Sequence, residues 1–357
     1  MKIGLLVGRE ESFPRAFIEA VEGLGRDDLT AEFCKFGGTR HDELCGYDVI
    51  IDRISHEVPY YRLALKQAAM MGTRVVNNPF WSTADDKFFG YSLAAKLGLA
   101  VPRTVLLPDK DYGPDLSTES LRNLEYPIDW KAHVDWVGLP AFLKPATGGG
   151  WKNVYKVDSV EEMLYRYDQS GTTTMVLQRG VDFDRYIRCF GIGREEVIVC
   201  RYDPDNRCYL PVEKGWLDED LRARIEHETL LICRALGYDC NTVEFAVENG
   251  VPYLIDFTNP APDMEVWSIT TEYFDDVVQA MVRMAVRLAD RPAPATTGSW
   301  HELLWSGATP TKKAVKKKAS AKKPSSAKPA AGKPVTKKKA AVKKAATKPK
   351  SKAARKK

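Results

Sequence analysis

Residues 241–259, Asn-Thr-Val-Glu-Phe-Ala-Val-Glu-Asn-Gly-Val-Pro-Tyr-Leu-Ile-Asp-Phe-Thr-Asn, constrain the fold of this chain more than any other stretch. Two runs of alternating residues flank an Asn-Gly pair, which is the pattern of a β-hairpin. Val243, Phe245 and Val247 alternate with Glu244 and Ala246, and Tyr253, Ile255 and Phe257 alternate with Leu254, Asp256 and Thr258. If the odd positions of both strands face the core, paired residue numbers must sum to an even value, because a one-residue slip turns every side chain over. That condition excludes a two-residue Asn249-Gly250 loop and selects a three-residue loop, Glu248-Asn249-Gly250, with Gly250 left-handed. Residue 244 then pairs with 254. Glu244 and Asp256 become diagonal neighbours on the polar face, with backbones about 7 to 8 Å apart.

A polar hairpin face can simply meet solvent. Two carboxylates this close nevertheless repel one another unless a cation lies between them. Mg2+ takes one or two protein carboxylates and completes its shell with phosphate and water oxygens. Asn259, just beyond the second strand, can add a neutral oxygen.

The rest of the chain divides by pattern. Strands are expected at 2–7, 47–53 and 74–77, and helices at 13–24 and 60–71. Alternation of strand and helix predicts a small parallel sheet. Ser82 or Thr83 is placed to cap a helix that runs to Leu97 and stops at Gly98. From about residue 103 the segments 103–107, 141–144, 153–157, 175–178, 186–192 and 196–202 read as strands joined by turns, which suits antiparallel sheets with a few covering helices. A helix is expected at 218–236, ending at Gly237, while 109–138 carries no clear pattern.

Charge separates the chain into two parts. Of its 53 Lys and Arg residues, 20 fall in 311–357 with no acidic residue among them, so residues 1–310 carry 33 basic against 48 acidic side chains. A segment of Lys, Ala, Pro, Ser and Thr cannot bury enough apolar surface to offset its chain entropy, and 311–357 is expected to be disordered. A block of cations binds polyanions by counterion release, so non-specific nucleic acid is the expected partner of this tail. No apolar run approaches the ~20 residues that cross a bilayer, and no leader pattern follows Met1; the chain reads as cytoplasmic, with nucleoid or ribosome association through the tail. Seven cysteines without Cys-x-x-Cys spacing read as reduced core residues, and five scattered histidines offer no zinc site.

A second chemical signal lies upstream of the hairpin. Lys144 ends an apolar strand and is followed by Ala-Thr-Gly-Gly-Gly at 146–150. A lysine at a buried strand end needs an anionic partner, and glycines let backbone N–H groups approach phosphate oxygens. The Gly-x-x-x-x-Gly-Lys-Ser/Thr loop is absent.

Taken in order, these residues resemble the ATP-grasp superfamily, in its branch of the ribosomal-protein glutamate ligase RimK and the glutathione synthases. The likeness covers roughly 47–262. It runs through Asp48-Val-Ile-Ile-Asp-Arg53, Asn78-Pro79, Asp86-Lys87, Ala94-x-x-Leu97-Gly98, Val101-Pro102-Arg-Thr104, Leu143-Lys144-Pro145 with its glycine loop, Leu177-Gln178, Ile187-Arg188-Cys189-Phe190, and the Glu244, Asp256, Asn259 set. The resemblance implies an α/β (α+β) fold: a Rossmann-like parallel-sheet domain over 1–78, two α+β subdomains gripping ATP over 79–290, an exit segment over 291–310, and the tail.

For the site, the resemblance implies that Lys87 and Lys144 bind the ATP phosphates and adenine side, that Gly148, Gly149 and Gly150 form a lid over the phosphates, and that Gln178, Arg179, Gly180 and Val181 read adenine. Asp182 or Asp184 would bind the ribose. Glu244, Asp256 and Asn259 would hold Mg2+, with Mn2+ a substitute. Two departures stand out: Gln178 replaces the usual acid, and Asp256-Phe-Thr-Asn259 is one residue longer than the usual Glu-x-Asn. The implied activity is an amide-forming ligase that joins a small-molecule or peptide carboxylate to an amine through an acyl phosphate, with Arg188 and Arg201 neutralising the transferring group and Arg53 gripping a substrate carboxylate. The competing expectations are a small-molecule kinase of the same fold and a nucleic-acid-associated protein with a regulatory ATP domain.

Overall fold

A computed structural model of the chain describes residues 1–80 and 86–291. The first 76 residues form a four-stranded parallel sheet of β1 (Lys2–Leu6), β2 (Thr30–Phe33), β3 (Val49–Asp52) and β4 (Arg74–Val76), in the order β2-β1-β3-β4. Helix α1 (Ser12–Glu22) and helix α2 (Pro59–Met70) connect them. Strand β2 has only one buried position, Ala31, in Thr-Ala-Glu-Phe, so neither alternation nor a buried run announces it in the sequence; pairing with β1 makes it a strand.

Helix α3 (Lys87–Lys96) follows. Its cap is Asp86, whose carboxylate accepts the Phe89 N–H at 3.0 Å. The expected caps Ser82 and Thr83 lie outside the described residues. A second sheet, wholly antiparallel, has the order β5-β8-β6-β7 and comprises β5 (Thr104–Leu107), β6 (Ala141–Pro145), β7 (Tyr155–Val157) and β8 (Met175–Arg179). Helices α4 (Trp130–Val137) and α5 (Val160–Tyr167) pack on it through Val134, Val137, Met163 and Tyr167. The unassigned 109–138 therefore holds a 3₁₀ turn, Thr118–Leu121, and α4. Two buried valines per eight residues give too thin an apolar stripe to read without the sheet beneath them.

The third sheet, also antiparallel, has the order β11-β10-β9-β12-β13, with β9 (Arg185–Ile192), β10 (Glu196–Asp203), β11 (Cys208–Leu210), β12 (Cys240–Glu248) and β13 (Val251–Asn259). Helix α6 (Glu219–Leu236) covers one face through Leu221, Ile225, Ile232 and Leu236, which join Ile187, Val243, Phe245, Leu254 and Phe257 in one cluster. The opposite face shares a cluster with the parallel sheet: Phe190, Tyr202 and Tyr209 meet Ile3, Leu5 and Phe13 around Val277, Met281 and Met284 of α7 (Val266–Asp290). Glu265 fastens this junction, accepting the backbone N–H groups of Glu11, Ser12 and Phe13 at 3.0, 2.9 and 3.2 Å. All seven cysteines are free, and no helix among the described residues is long and apolar enough to cross a membrane.

The hairpin corrects the expected register. Glu248 pairs with Val251, so the loop is the two-residue Asn249-Gly250 turn that the parity argument excluded. Both loop residues are left-handed, at φ 52° and 75°, as a hairpin of this twist favours. Phe245 faces Leu254, but Glu244 faces Asp256, and the extra residue, Ile255, bulges from β13. A bulge changes the parity of a ladder midway, which the assumption of an unbroken ladder did not allow. Leu254 and Phe257 therefore reach one core cluster while Ile255 packs against the other. Glu244 and Asp256 are direct cross-strand partners rather than diagonal ones, and residue 244 does not pair with 254.

Candidate functional site

The hairpin register sets a row of side chains across the third sheet. Cys200 of β10 pairs with Arg188 of β9, Arg188 with Glu244 of β12, and Glu244 with Asp256 of β13. Directly opposed carboxylates destabilise a sheet unless each is compensated. Compensation comes from two sides. The Arg188 Nε lies 3.3 Å from Glu244 Oε1, and the Lys87 Nζ lies 3.7 Å from Asp256 Oδ2. Burial alone would raise the Asp256 carboxyl, but the charges of Lys87 and then Lys144 outweigh it and hold it below its ordinary value.

A second irregularity carries the third oxygen donor. Between the 244–256 pair and the 242–259 pair, β12 advances two residues and β13 three. This register shift absorbs the additional residue of Asp256-Phe-Thr-Asn259 and sets Asn259 opposite Thr242, two positions along β12 from Glu244. Asn259 is anchored by its own backbone N–H, which donates to Asn241 Oδ1 at 2.9 Å.

Two lysines from different elements reach this row. Lys87 is the first residue of α3, with its backbone N–H bonded to Ala146 O at 2.9 Å. Its Nζ donates to the Gly148 carbonyl, so it joins the glycine loop to Asp256. Lys144, 7% exposed, comes from β6. Its Nζ meets the Tyr91 hydroxyl at 2.9 Å, Gln178 Oε1 at 2.9 Å and the Ile255 carbonyl at 3.4 Å. These acceptors are all neutral, and burial lowers the Lys144 ammonium from its ordinary value. A buried cation held only by neutral acceptors is a seat for an anion.

Gln178 is central to that arrangement. Its Nε2 donates to Thr104 Oγ1 at 2.9 Å while its oxygen faces Lys144. As an amide it satisfies the lysine sterically without neutralising it. The segment after it, 179–184, links the second and third sheets. Arg179 forms a two-point pair with Glu248 at 3.1 and 3.0 Å, and the Asp182 N–H donates to the same carboxylate at 2.9 Å. The Gly180 N–H donates to Pro140 O at 2.8 Å. A Cβ at Gly180 would lie 2.7 Å from that oxygen. Asp184 bonds through its backbone to Val247 O at 3.0 Å, and its carboxylate lies 3.3 Å from Arg185 Nε.

The glycine loop is open by comparison. No atom comes within 4 Å of a Cβ built at Gly148, Gly149 or Gly150, and Gly148 and Gly150 are left-handed. Beyond it, the Arg207 guanidinium lies 5.2 Å from the centre of the exposed Trp151 ring, which brings the loop against the β10–β11 turn.

Two candidate residues sit elsewhere. Arg201 pairs with Ile187, so it lies on the α6 face of the sheet, opposite Arg188 and Glu244, and its Nη1 meets Glu213 at 2.8 Å. Arg53 is buried, paired with Glu10 at 2.5 Å and bonded to the Pro262 carbonyl, with its guanidinium over Phe13. It ties the end of β3 to the segment after β13. Sequence reasoning missed Tyr91, Thr104, Tyr186 and Glu248. Their partners in the site lie 53 to 164 residues away in the chain, and no local pattern marks them.

Glu244, Asp256 and the Asn259 amide form an all-oxygen donor set, which fits Mg2+ or Mn2+. Among the described residues no group of three or more His, Cys, Asp or Glu converges to enclose a metal. The set therefore fits an ion that takes part of its shell from phosphate and water.

No family model matches the chain. It is similar to the RimK-domain ATP-grasp protein of Sphaerobacter thermophilus, with a TM-score of 0.56 and 16% identity over 80% of this chain and 100% of that one. D-alanine–D-alanine ligase of Bacillus anthracis, solved with ATP, gives 0.53 and 17% over 82% and 97%. The VanG D-Ala:D-Ser ligase of Enterococcus faecalis gives 0.56 and 14% over 81% and 99%. Among curated proteins, pyruvate carboxylase 1 of Caenorhabditis elegans is 30% identical over 166 residues, 42% of this chain. The match spans 14% of that relative's length. The fold is the ATP-grasp fold.

Proposed function

We propose that this chain, with its ATP-grasp fold, is an ATP- and divalent-metal-dependent ligase that joins a carboxylate to an amine. The observation that carries the reading is the placement of buried Lys87 against Asp256 and of buried Lys144 against the neighbouring Ile255 carbonyl, with every hydrogen-bond acceptor of Lys144 neutral. The ligase activity of the similar D-Ala–D-Ala ligase and VanG, and the ATP-grasp domain of the RimK-domain protein, support it.

In the proposed reaction an oxygen of the substrate carboxylate attacks the γ-phosphorus of ATP, and ADP leaves. The amine then attacks the acyl carbon, phosphate departs with the oxygen it gained, and the amine proton passes to solvent. Lys144 and Lys87 would bind phosphate oxygens, and Arg188 would face the transferring group. Gly148, Gly149 and Gly150 would supply backbone N–H groups. The segment from Gln178 to Val181 would hold adenine, with Asp182 or Asp184 at the ribose. Glu244, Asp256 and Asn259 would hold Mg2+ or Mn2+, which when bound polarises phosphoryl oxygens and offsets their charge. Arg201 and Arg53, engaged with Glu213 and Glu10, have no part in this scheme.

Incubation with ATP, Mg2+ and a metabolite pool whose carboxylates carry 18O tests the chemistry. Labelled inorganic phosphate together with an amide product supports the ligase. A phosphorylated hydroxyl product without release of inorganic phosphate would identify a kinase instead. Asp256→Asn is expected to lower kcat by about a hundredfold or more, the scale of losing one preorganised electrostatic partner; unchanged turnover would refute the site.

The lysine-rich 311–357, outside the described residues, supports a second reading, that the protein is carried on nucleic acid. Full-length chain is expected to bind DNA and RNA with a steep salt dependence that a 1–310 truncation lacks. Equal binding by both would exclude it.

A further inference from the structure

Tyr186 has no part in the transfer chemistry proposed above, yet its hydroxyl sits on the carboxylate row. The β9–β12 register pairs Tyr186 with Ala246 and Arg188 with Glu244, so Tyr186, Arg188 and Glu244 share one face. The Tyr186 hydroxyl donates to Glu244 Oε2 at 2.5 Å, while the Arg188 Nε lies 3.3 Å from Oε1. Each oxygen of Glu244 therefore has its own neighbour. A carboxylate offers about four lone-pair sites, so both oxygens keep capacity for a further partner.

The phenol ring is itself fixed. It meets Phe183 edge-on at 5.3 Å between centroids and Tyr202 at 6.1 Å, and the residue is 7% exposed. Ring packing alone would be met by phenylalanine. Burying a hydroxyl costs free energy unless it is bonded, and the bond it makes is to Glu244. Arg188 is also steadied by aromatic faces, with its guanidinium 5.1 Å from the Tyr202 centroid and 5.7 Å from that of Tyr209. Asp256 is treated differently. Its side chain is 34% exposed and faces the Lys87 ammonium 3.7 Å away, whereas Glu244 is 15% exposed.

We propose that Tyr186 is a positioning residue, whose hydroxyl holds the Glu244 carboxylate in the orientation that binds the divalent cation. The inference rests on the metal reading of the site given above. It assigns the hairpin two unlike ligands: Glu244, less exposed and oriented by Tyr186 and Arg188, and Asp256, more exposed and faced by Lys87. A partner that orients a metal ligand contributes roughly 10- to 100-fold to metal affinity.

Mn2+ binding to the full chain, followed by electron paramagnetic resonance with a non-hydrolysable ATP analogue, tests it. In Tyr186→Phe the Mn2+ Kd should rise about tenfold, while affinity for the metal-free analogue stays at the wild-type value. In a Glu244→Gln background, adding Tyr186→Phe should change nothing further, because the hydroxyl acts only through that carboxylate. A wild-type Mn2+ affinity in Tyr186→Phe overturns the inference, and so does a further tenfold loss in the double variant. If thermal unfolding shows that Tyr186→Phe does not fold, Glu244→Asp replaces it. This variant keeps a carboxylate but withdraws it from the hydroxyl, and undiminished Mn2+ binding there is equally fatal. Wild-type protein that binds the analogue but no Mn2+ refutes the metal reading itself, a result distinct from failure of the Tyr186 variant alone.

Discussion

The loop at 146–154 and the linker at 179–184 both border the proposed nucleotide side of the site and both depend on glycine, for opposite reasons. In the loop, glycine supplies conformation: Gly148 and Gly150 sit at φ 78° and 73° with open space around them. In the linker it supplies room: the Gly180 backbone lies against Pro140, 2.8 Å from N to O. The linker is bonded on both sides, to Pro140 and to Glu248. Past Ala146, whose backbone bonds Lys87 and Thr174, the loop is held by side-chain contacts, Lys87 to Gly148 and Arg207 to Trp151. A segment that must admit and release a ligand is best drawn from the weakly held parts of a fold, and one that must present a fixed edge from the strongly held parts.

Substitutions can break this contrast. The largest effect is expected from Gly180→Ala, where a methyl 2.7 Å from a backbone oxygen should cost about 1–3 kcal/mol of stability, read from the urea midpoint. An unchanged midpoint would show that the linker is not tightly seated.

Glu248→Gln should cost less, about 1–2 kcal/mol, by weakening charge-assisted bonds to Arg179 and the Asp182 N–H. The hydrogen bonds from Arg179 hold the Glu248 carboxyl below 4.5. A group depressed on folding stabilises above its unfolded value and loses that contribution as pH falls through the folded one. Wild type and Glu248→Gln should therefore differ most above about pH 5 and converge in acid, as stability measured across pH would reveal.

The smallest effects belong to the loop. Gly149→Ala and Trp151→Ala are expected to shift stability by less than about 0.5 kcal/mol. Trp151→Ala should nonetheless speed proteolytic cleavage within 146–154, since it removes the contact to Arg207.

The parallel sheet, the antiparallel strands that follow, and the lysine at 144 could be read from local pattern, because buried strands and helix stops leave periodic signatures; Lys87 came only with the family resemblance. Strand β2 and helix α4 could not, since each has too few buried positions to define a period, whereas α5 does carry apolar residues at helical spacing, Val160, Met163, Leu164 and Tyr167 behind a Ser159 cap, a signal that sequence reasoning missed. Within the site, Glu244 and Asp256 were legible as a pair and their register was not. A bulge leaves no mark in an alternating sequence beyond the residue it displaces, here Ile255. Arg201 and Arg188 look alike in the chain, and only the ladder with β9 sends them to opposite faces.

The sequence alone determined which residue types are available: two acids in one hairpin, a lysine at a strand end, glycines beyond it, and a cationic segment apart from an acidic body. Those are properties of composition and short-range order. The tertiary structure decided which acid meets which cation. It set Arg188 and Tyr186 on Glu244, Lys87 on Asp256, and left Lys144 among neutral acceptors. The reason is physical. Local order fixes which way a side chain leaves its own strand, but charge pairing depends on separations of 3 to 4 Å between strands remote in the chain, and those are set by register, bulges and helix placement.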